Sequence, residues 1–191
     1  MYLLKREFDT EKKLYTLSLL VKDIPGVLSQ VARLFSRKGS NIESIASGES
    51  NDPGVTRITI VIRGDELMIS QIAAQCRKLL PVIAVKVLDQ ANSLQREFTL
   101  IKVKAEDLTS RGEVIQIAGV FRANVIDVSR ETLTVAIFGD GEKTKALLDL
   151  MKEVGVLEVV RTGTIAIERG RSTIYDETKL KEEYTYGKNV L

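Results

Sequence analysis

The stretch VKDIPGVLSQVARLFSRKGSNIESI, residues 21–45, decides the fold. It leaves a strand at Val21, turns through Pro25 and Gly26, and enters a run in which Val27, Leu28, Val31, Ala32, Leu34 and Phe35 recur at spacings of three and four. That spacing predicts a helix with one apolar side. Gly39 is placed to stop it, and Asn41-Ile42 opens a second extended segment.

Outward from this core the same logic continues. LYTLSLLV (14–21) is rich in strand-forming residues, with Leu17, Leu19 and Val21 on one face and Ser18 and Leu20 on the other. Residues 41–49 read as a strand, NDPG (51–54) as a turn, and VTRITIVI (55–62) as a third strand. Asp65 caps a second helix whose predicted inner face is Leu67, Ile69, Ile72, Ala73, Cys76, Leu79 and Leu80; Pro81 closes it, and 82–88 is the last strand. The order β-α-β-β-α-β is the ferredoxin-like plan, an antiparallel sheet with both helices on one face. Its other face needs cover, from a second sheet or a partner protomer.

The plan is then written again. REFTLIKV (96–103) repeats the first strand, and EDLTSRGEVIQIAGVFRANVIDVS (106–129) repeats the quoted stretch, with Gly112 aligned to Gly26, Gln116 to Gln30, Ala118 to Ala32 and Phe121 to Phe35. Residues 131–138 read as a strand. Residues 143–154 read as a helix with Ala146, Leu147, Leu150, Met151 and Val154 inward, stopped by Gly155, and LEVVRTGTIAIERG (157–170) as one or two strands. The fold class is therefore α+β, two βαββαβ domains at 1–90 and 91–170. A polar segment follows at 171–191, either frayed or ordered by docking.

Composition narrows the chemistry. Across 191 residues the net charge is +2, with acids and bases interspersed and only 5% aromatics, which leaves no electrostatic stripe or stacking platform for nucleic acid. There is no histidine and one cysteine, so Cys/His zinc sites are excluded and the commonest neutral-pH base is missing. Cys76 reads as a buried structural thiol and points to a reducing compartment. No apolar run of membrane-spanning length is present, and MYLLKREFDTEKK lacks the core of a secretion signal; the expected location is the cytoplasm. Neither GxGxxG nor GxxxxGK[ST] follows the first strand.

What remains is one turn with two readings, a helix start first and a ligand site second. The IPGV turn serves first as a helix start, but it also directs backbone N–H groups toward an anion, and an amino-acid carboxylate suits that geometry as well as a phosphate. Asp23 is either a receiver for an ammonium group or a cap; Asn41 is either an amide donor or a turn residue. Arg33 and Arg37 read as solvated helix charge.

The quoted stretch, with NDPGVTRITIVIRGD after it, resembles the N-terminal ACT-domain signature of the small regulatory subunits of acetolactate synthase (acetohydroxyacid synthase). QREFTLIKVKA, GVFRANVIDVS and LEVVRTGTIAIERG resemble the second domain of that family, so the likeness runs from residue 14 to 170. The resemblance implies a homodimer through paired ACT domains and activation of a separate catalytic large subunit. It also implies feedback inhibition by valine or a related branched-chain amino acid. Thiamine diphosphate, magnesium and commonly a flavin then belong to the partner, and this chain carries no cofactor and no catalytic residue. Carried onto this sequence, the effector loop is Asp23, Ile24, Pro25, Gly26, Val27 and Leu28, and Asn41 and Ile42 approach the ligand from across the dimer. Asp23 departs from the Asn common in bacterial members: it keeps an oxygen acceptor for the ammonium and loses an amide donor. The competing readings are a standalone amino-acid-responsive binding protein and an enzyme built on exposed carboxylates.

Overall fold

The computed structural model describes residues 13–37 and 41–176. The expected helix stop at Gly39 and the part of the polar segment beyond residue 176 lie outside the described residues. The chain divides into two units. The first is Met1–Ser93 together with Glu168–Leu191, and the second is Leu94–Ile167.

In the first unit the order is β1 (Lys13–Lys22), α1 (Val27–Arg37), β2 (Ile42–Glu49), β3 (Val55–Gly64), α2 (Glu66–Lys78) and β4 (Val82–Leu88). The antiparallel sheet runs β2-β3-β1-β4, with β2 and β4 at its edges. Val27, Val31, Leu34 and Phe35 of α1 and Ile69, Ile72, Ala73 and Cys76 of α2 are buried against Leu17, Leu19, Val21, Ile58, Ile60 and Ile62. The two helical stripes thus cover one face of the sheet, as the periodicity requires. Asp65 caps α2, accepting a 2.8 Å bond from the Met68 amide.

Two residues expected on the inner face of α2 are in solvent. Leu67 lies 200° around the helix from Ile69, off the stripe, and Leu80 follows a C-cap at Leu79 whose extended backbone breaks the helical register. Cys76 is fully buried, and burial pushes its thiol up to about 11, Arg77 opposing only in part. Alkylation by iodoacetamide at pH 8 is therefore expected to be slow in the folded chain and rapid in urea; fast alkylation of folded protein counts against a structural thiol.

Part of the opposite face of this sheet, along β1 and β4, is covered as well. Leu20 and Ala84, neighbours across β1 and β4, pack against Ile174, with Val55, Ile83 and Tyr175 around them. Ser18 beside them is buried and accepts a 3.0 Å bond from Arg57 Nε. Over this patch the cover comes from the chain itself, through residues 168–176.

The second unit comprises β5 (Ser93–Lys104), α3 (Leu108–Val120), β6 (Asn124–Val128), β7 (Thr132–Gly139), α4 (Gly141–Val154), β8 (Val156–Arg161) and β9 (Ile165–Glu168). Its sheet runs β6-β7-β5-β8, and β9 also pairs with β5. Its core is Ile101, Val103, Val114, Ala118, Leu133, Val135, Ile137, Leu147 and Met151. On α4 the buried stripe is Thr144, Leu147 and Met151, so Ala146 and Leu150, each one residue and 100° away, face outward rather than inward. Gly112 is also not the counterpart of Gly26. It sits inside α3, four residues past the helix start, whereas Gly26 precedes α1 with φ +84°. Asp107 is the true start of α3: the Ser110 amide donates to it at 2.8 Å and holds its carboxyl below the usual range. The stabilisation from that cap is present above the ordinary carboxylate pKa and is lost as pH falls through the lowered one. At the other end, Arg122 takes the left-handed position of a Schellman turn, with Ala123 N bonded to Ala118 O at 2.8 Å.

Among the described residues no helix is long and apolar enough to cross a membrane, and no group of three or more acidic, Cys or His side chains is arranged to hold a metal ion.

Candidate functional site

The loop between β1 and α1 is short and tied at both ends. Lys22 N donates to Pro81 O and Asp23 N to Gly54 O, both at 2.8 Å, which fixes the exit of β1 against two neighbouring turns. Gly26 O then accepts from Gln30 N at 3.0 Å and begins α1. The turn demands a left-handed residue at Gly26, where any L side chain is strained, and a Cβ there meets nothing within 4 Å. Open space therefore lies in front of the first turn.

That turn carries the donors. The N–H groups at the start of an α-helix have no partner one turn earlier, and the Val27 amide makes only a long 3.4 Å contact to Ile24 O. Asp23, Pro25 and Gly26 are exposed beside it. Ile24 and Leu28 are large apolar side chains left 50% and 47% exposed on either side of the turn. The loop thus gathers helix-start amides, one exposed carboxylate at Asp23 and two exposed aliphatic side chains, Ile24 and Leu28.

Asn41 and Ile42 are elsewhere. Lys22 is opposite Val55 on β3, and Ile42 is opposite Ile62. Seven residues of β3 at about 3.3 Å each put about 23 Å along the strand between the loop and Asn41 within one chain. Asn41 is exposed, and Ile42 is half-buried against the core at the start of edge strand β2. Arg33 and Arg37 are exposed on α1.

Three features carry contacts to which the sequence reading gave no role. The turn 50–54, whose Gly54 carbonyl holds Asp23, is braced internally by Ser50 N to Val55 O at 2.9 Å and Asp52 N to Ser50 Oγ at 3.1 Å. Tyr175 donates from its hydroxyl to Asn51 Oδ1 in that same turn. In the second unit, Glu97 and Thr99 are buried on the side of β5 that also carries Ile101 and Val103, and Glu97 Oε1 and Thr99 Oγ1 have no hydrogen-bond partner. The alternation of those four residues was the available signal, and it marks the face without saying why two polar groups lie on it.

Comparison with known proteins accounts for nearly all of the described chain. A family model for an AHAS small subunit-like ACT domain matches residues 17–84, and one for the small subunit of acetolactate synthase matches residues 96–170. The acetolactate synthase small subunit of Mycobacterium leprae is 48% identical, over 82% of this chain and 92% of its own length. That of Aquifex aeolicus is 36% identical, over 88% of this chain and 84% of its own. The crystal structure of the small subunit from Thermotoga maritima superposes with a TM-score of 0.77 at 39% identity, covering 84% of this chain and 99% of that one.

Proposed function

The chain belongs to the acetolactate synthase small-subunit family, and on that premise we propose that it activates a separate thiamine-diphosphate-dependent catalytic subunit and carries feedback inhibition by valine or a related branched-chain amino acid. The observation that carries the effector reading is the open, glycine-gated helix start at Gly26, flanked by one carboxylate, Asp23, and two exposed aliphatic side chains, Ile24 and Leu28.

In this reading the effector carboxylate takes the amides of Gly26 and Val27, the ammonium faces Asp23, and the branched side chain lies between Ile24 and Leu28. The site is completed by a second copy. β2 is an edge strand, and β1 and β2 are both antiparallel to β3, so they run parallel to each other. A two-fold axis across the β2 edge turns the partner's sheet end for end. It brings the Asn41 end of one protomer to the loop end of the other and removes the separation of about 23 Å along the strands without moving either chain internally. The homodimer thus extends the sheet and forms two equivalent sites. Thiamine diphosphate, magnesium and flavin belong to the catalytic partner, and the assembly works in the cytoplasm.

Inhibition follows from differential affinity. Valine bound at both sites favours the dimer arrangement that supports the catalytic subunit less well; shifting a 1:99 equilibrium to 99:1 takes about 5.5 kcal/mol, which the two sites share. A single methylene changes binding by about 1 to 3 kcal/mol, so leucine and isoleucine compete with valine, while large polar amino acids are rejected more strongly.

The deciding experiment is reconstitution with the matched catalytic subunit, with and without valine, leucine and isoleucine. The expected outcome is higher acetolactate formation on adding this chain and its partial reversal by valine. Folded chain that neither binds nor stimulates its catalytic partner sinks the assignment. Valine binding without any stimulation transfers it to a standalone amino-acid-responsive protein.

A further inference from the structure

We infer that Tyr175 is a positioning residue for the effector loop, held in place by residues 168–176, which form a strap across the sheet of the first unit. The inference rests on the effector reading of Asp23–Gly26 given above, and it concerns a segment that runs past the 96–170 match to the small-subunit family.

The strap begins where β9 of the second sheet ends, at Glu168, and crosses the sheet face of the first unit that the helices leave uncovered. Three kinds of contact hold it. Lys86 Nζ lies 2.6 Å from Glu168 Oε2, with both side chains largely buried, and contacts Thr173 O at 3.4 Å. Ile174 is buried on Leu20 and Ala84. The strap then closes on itself, with Thr173 N bonded to Asp176 Oδ2 at 2.8 Å, so Tyr175 is presented from a fixed turn.

From Tyr175 the route to the pocket is two hydrogen bonds long. Its hydroxyl donates to Asn51 Oδ1, and Asn51 belongs to the turn braced by Ser50, Asp52 and Val55. The carbonyl at the far side of that turn, Gly54 O, accepts the Asp23 amide at 2.8 Å. A turn stiffened by internal bonds passes a displacement on rather than absorbing it. A shift of the strap therefore reaches Asp23, the residue assigned to the effector ammonium. By linkage, ordering of Asp23 by the effector favours the docked strap to the same extent.

The test uses the full chain, free of effector, as wild type, Tyr175→Phe and Ile174→Ala. Y175F keeps the ring and removes the hydroxyl that bonds to Asn51; I174A loosens the strap where it packs. Amide hydrogen exchange is read at Asp23 and, as the internal control, at Lys22, whose amide is bonded to Pro81 O and not to the braced turn. Losing one exposed hydrogen bond predicts about three- to tenfold faster exchange at Asp23 in both variants with Lys22 unchanged, and a matching fall in valine affinity by calorimetry. Unchanged exchange at Asp23, or equal acceleration at Asp23 and Lys22, overturns the route. Faster exchange at Asp23 with wild-type valine affinity overturns its connection to the pocket. Wild-type protein that binds no valine overturns the effector assignment instead, and the exchange result still decides whether Tyr175 positions the loop.

Discussion

Gly26→Asp (G26D) is expected to lower valine affinity by about a hundredfold or more, while Gly26→Asn (G26N) stays within about tenfold of wild type. The two variants separate charge from conformation. Position 26 is left-handed with open space in front of it, so both added side chains fit sterically and both strain the turn. Asn tolerates this backbone best among non-glycine residues, and Asp is close to it. Strain of that kind is present before and after binding and largely cancels from the affinity. The carboxylate of Asp does not cancel, because it lies where the proposed site puts the effector carboxylate. Two unit charges about 4 Å apart near a protein surface repel by up to about 4 kcal/mol, more than enough for two decades in Kd. Calorimetry with a circular dichroism check reads the result. Equal losses in G26N and G26D place the carboxylate somewhere other than the helix start.

The same pair of positions reports on the dimer. Asn41→Ala (N41A) removes an amide from the other end of the sheet and is expected to weaken valine binding as well. If each site joins one protomer's loop to the other's Asn41, mixed G26D/N41A dimers regain one intact site: the N41A subunit supplies Gly26 and the G26D subunit supplies Asn41. Sites built within single chains leave the mixture as defective as its parents.

How much of this was legible in the sequence depends on the length scale of the signal. The helices of the first unit were readable because a stripe such as Val27, Val31, Leu34 and Phe35 is a local property of one segment, and the structure buries all four. Leu67, Ala146 and Leu150 were misplaced because apolar character was read as burial without following the 100° step around the helix, and Leu80 because the helix ends before it. The aligned glycines misled for a similar reason. Gly26 and Gly112 are the same letter in similar strings, but only one has a positive φ, and conformation is not a property of the letter. The strap was hidden by composition: one isoleucine, Ile174, among charged neighbours carries no periodic signal, yet it fills the gap over Leu20 and Ala84. The loop at 23–28 was legible through its Pro-Gly chemistry. Its distance from Asn41 was not, since that follows from strand order and register, which are decided by long-range pairing.

Phe35→Ala (F35A) is expected to lower the stability of the first unit by about 3 to 5 kcal/mol, the largest single loss foreseen for this chain. Phe35 is fully buried at the centre of the first core, under both helices' stripes and against the sheet. Its removal leaves a cavity bounded by side chains already in place on rigid strands. Phe121, its partner in the sequence alignment, is only partly buried at the end of α3. F121A therefore exposes less new surface and is expected to cost clearly less. Each unit has its own core, the second built around residues such as Leu147, so F35A and Leu147→Ala should each depress a different thermal transition. For a unit of this size about 3 kcal/mol corresponds to roughly 15 °C or more. Valine at saturation should raise only the transition that F35A lowers, because the proposed site is made entirely of first-unit residues. A single transition that both variants lower equally would mean that the two units unfold as one, and the strap at 168–176, the only described segment beyond β9 that returns to the first sheet, would then be the first element to cut. Removing its anchor with I174A in the F35A and L147A backgrounds distinguishes the cases: separate units keep additive losses, whereas a strap that fuses them makes the combined loss differ from the sum.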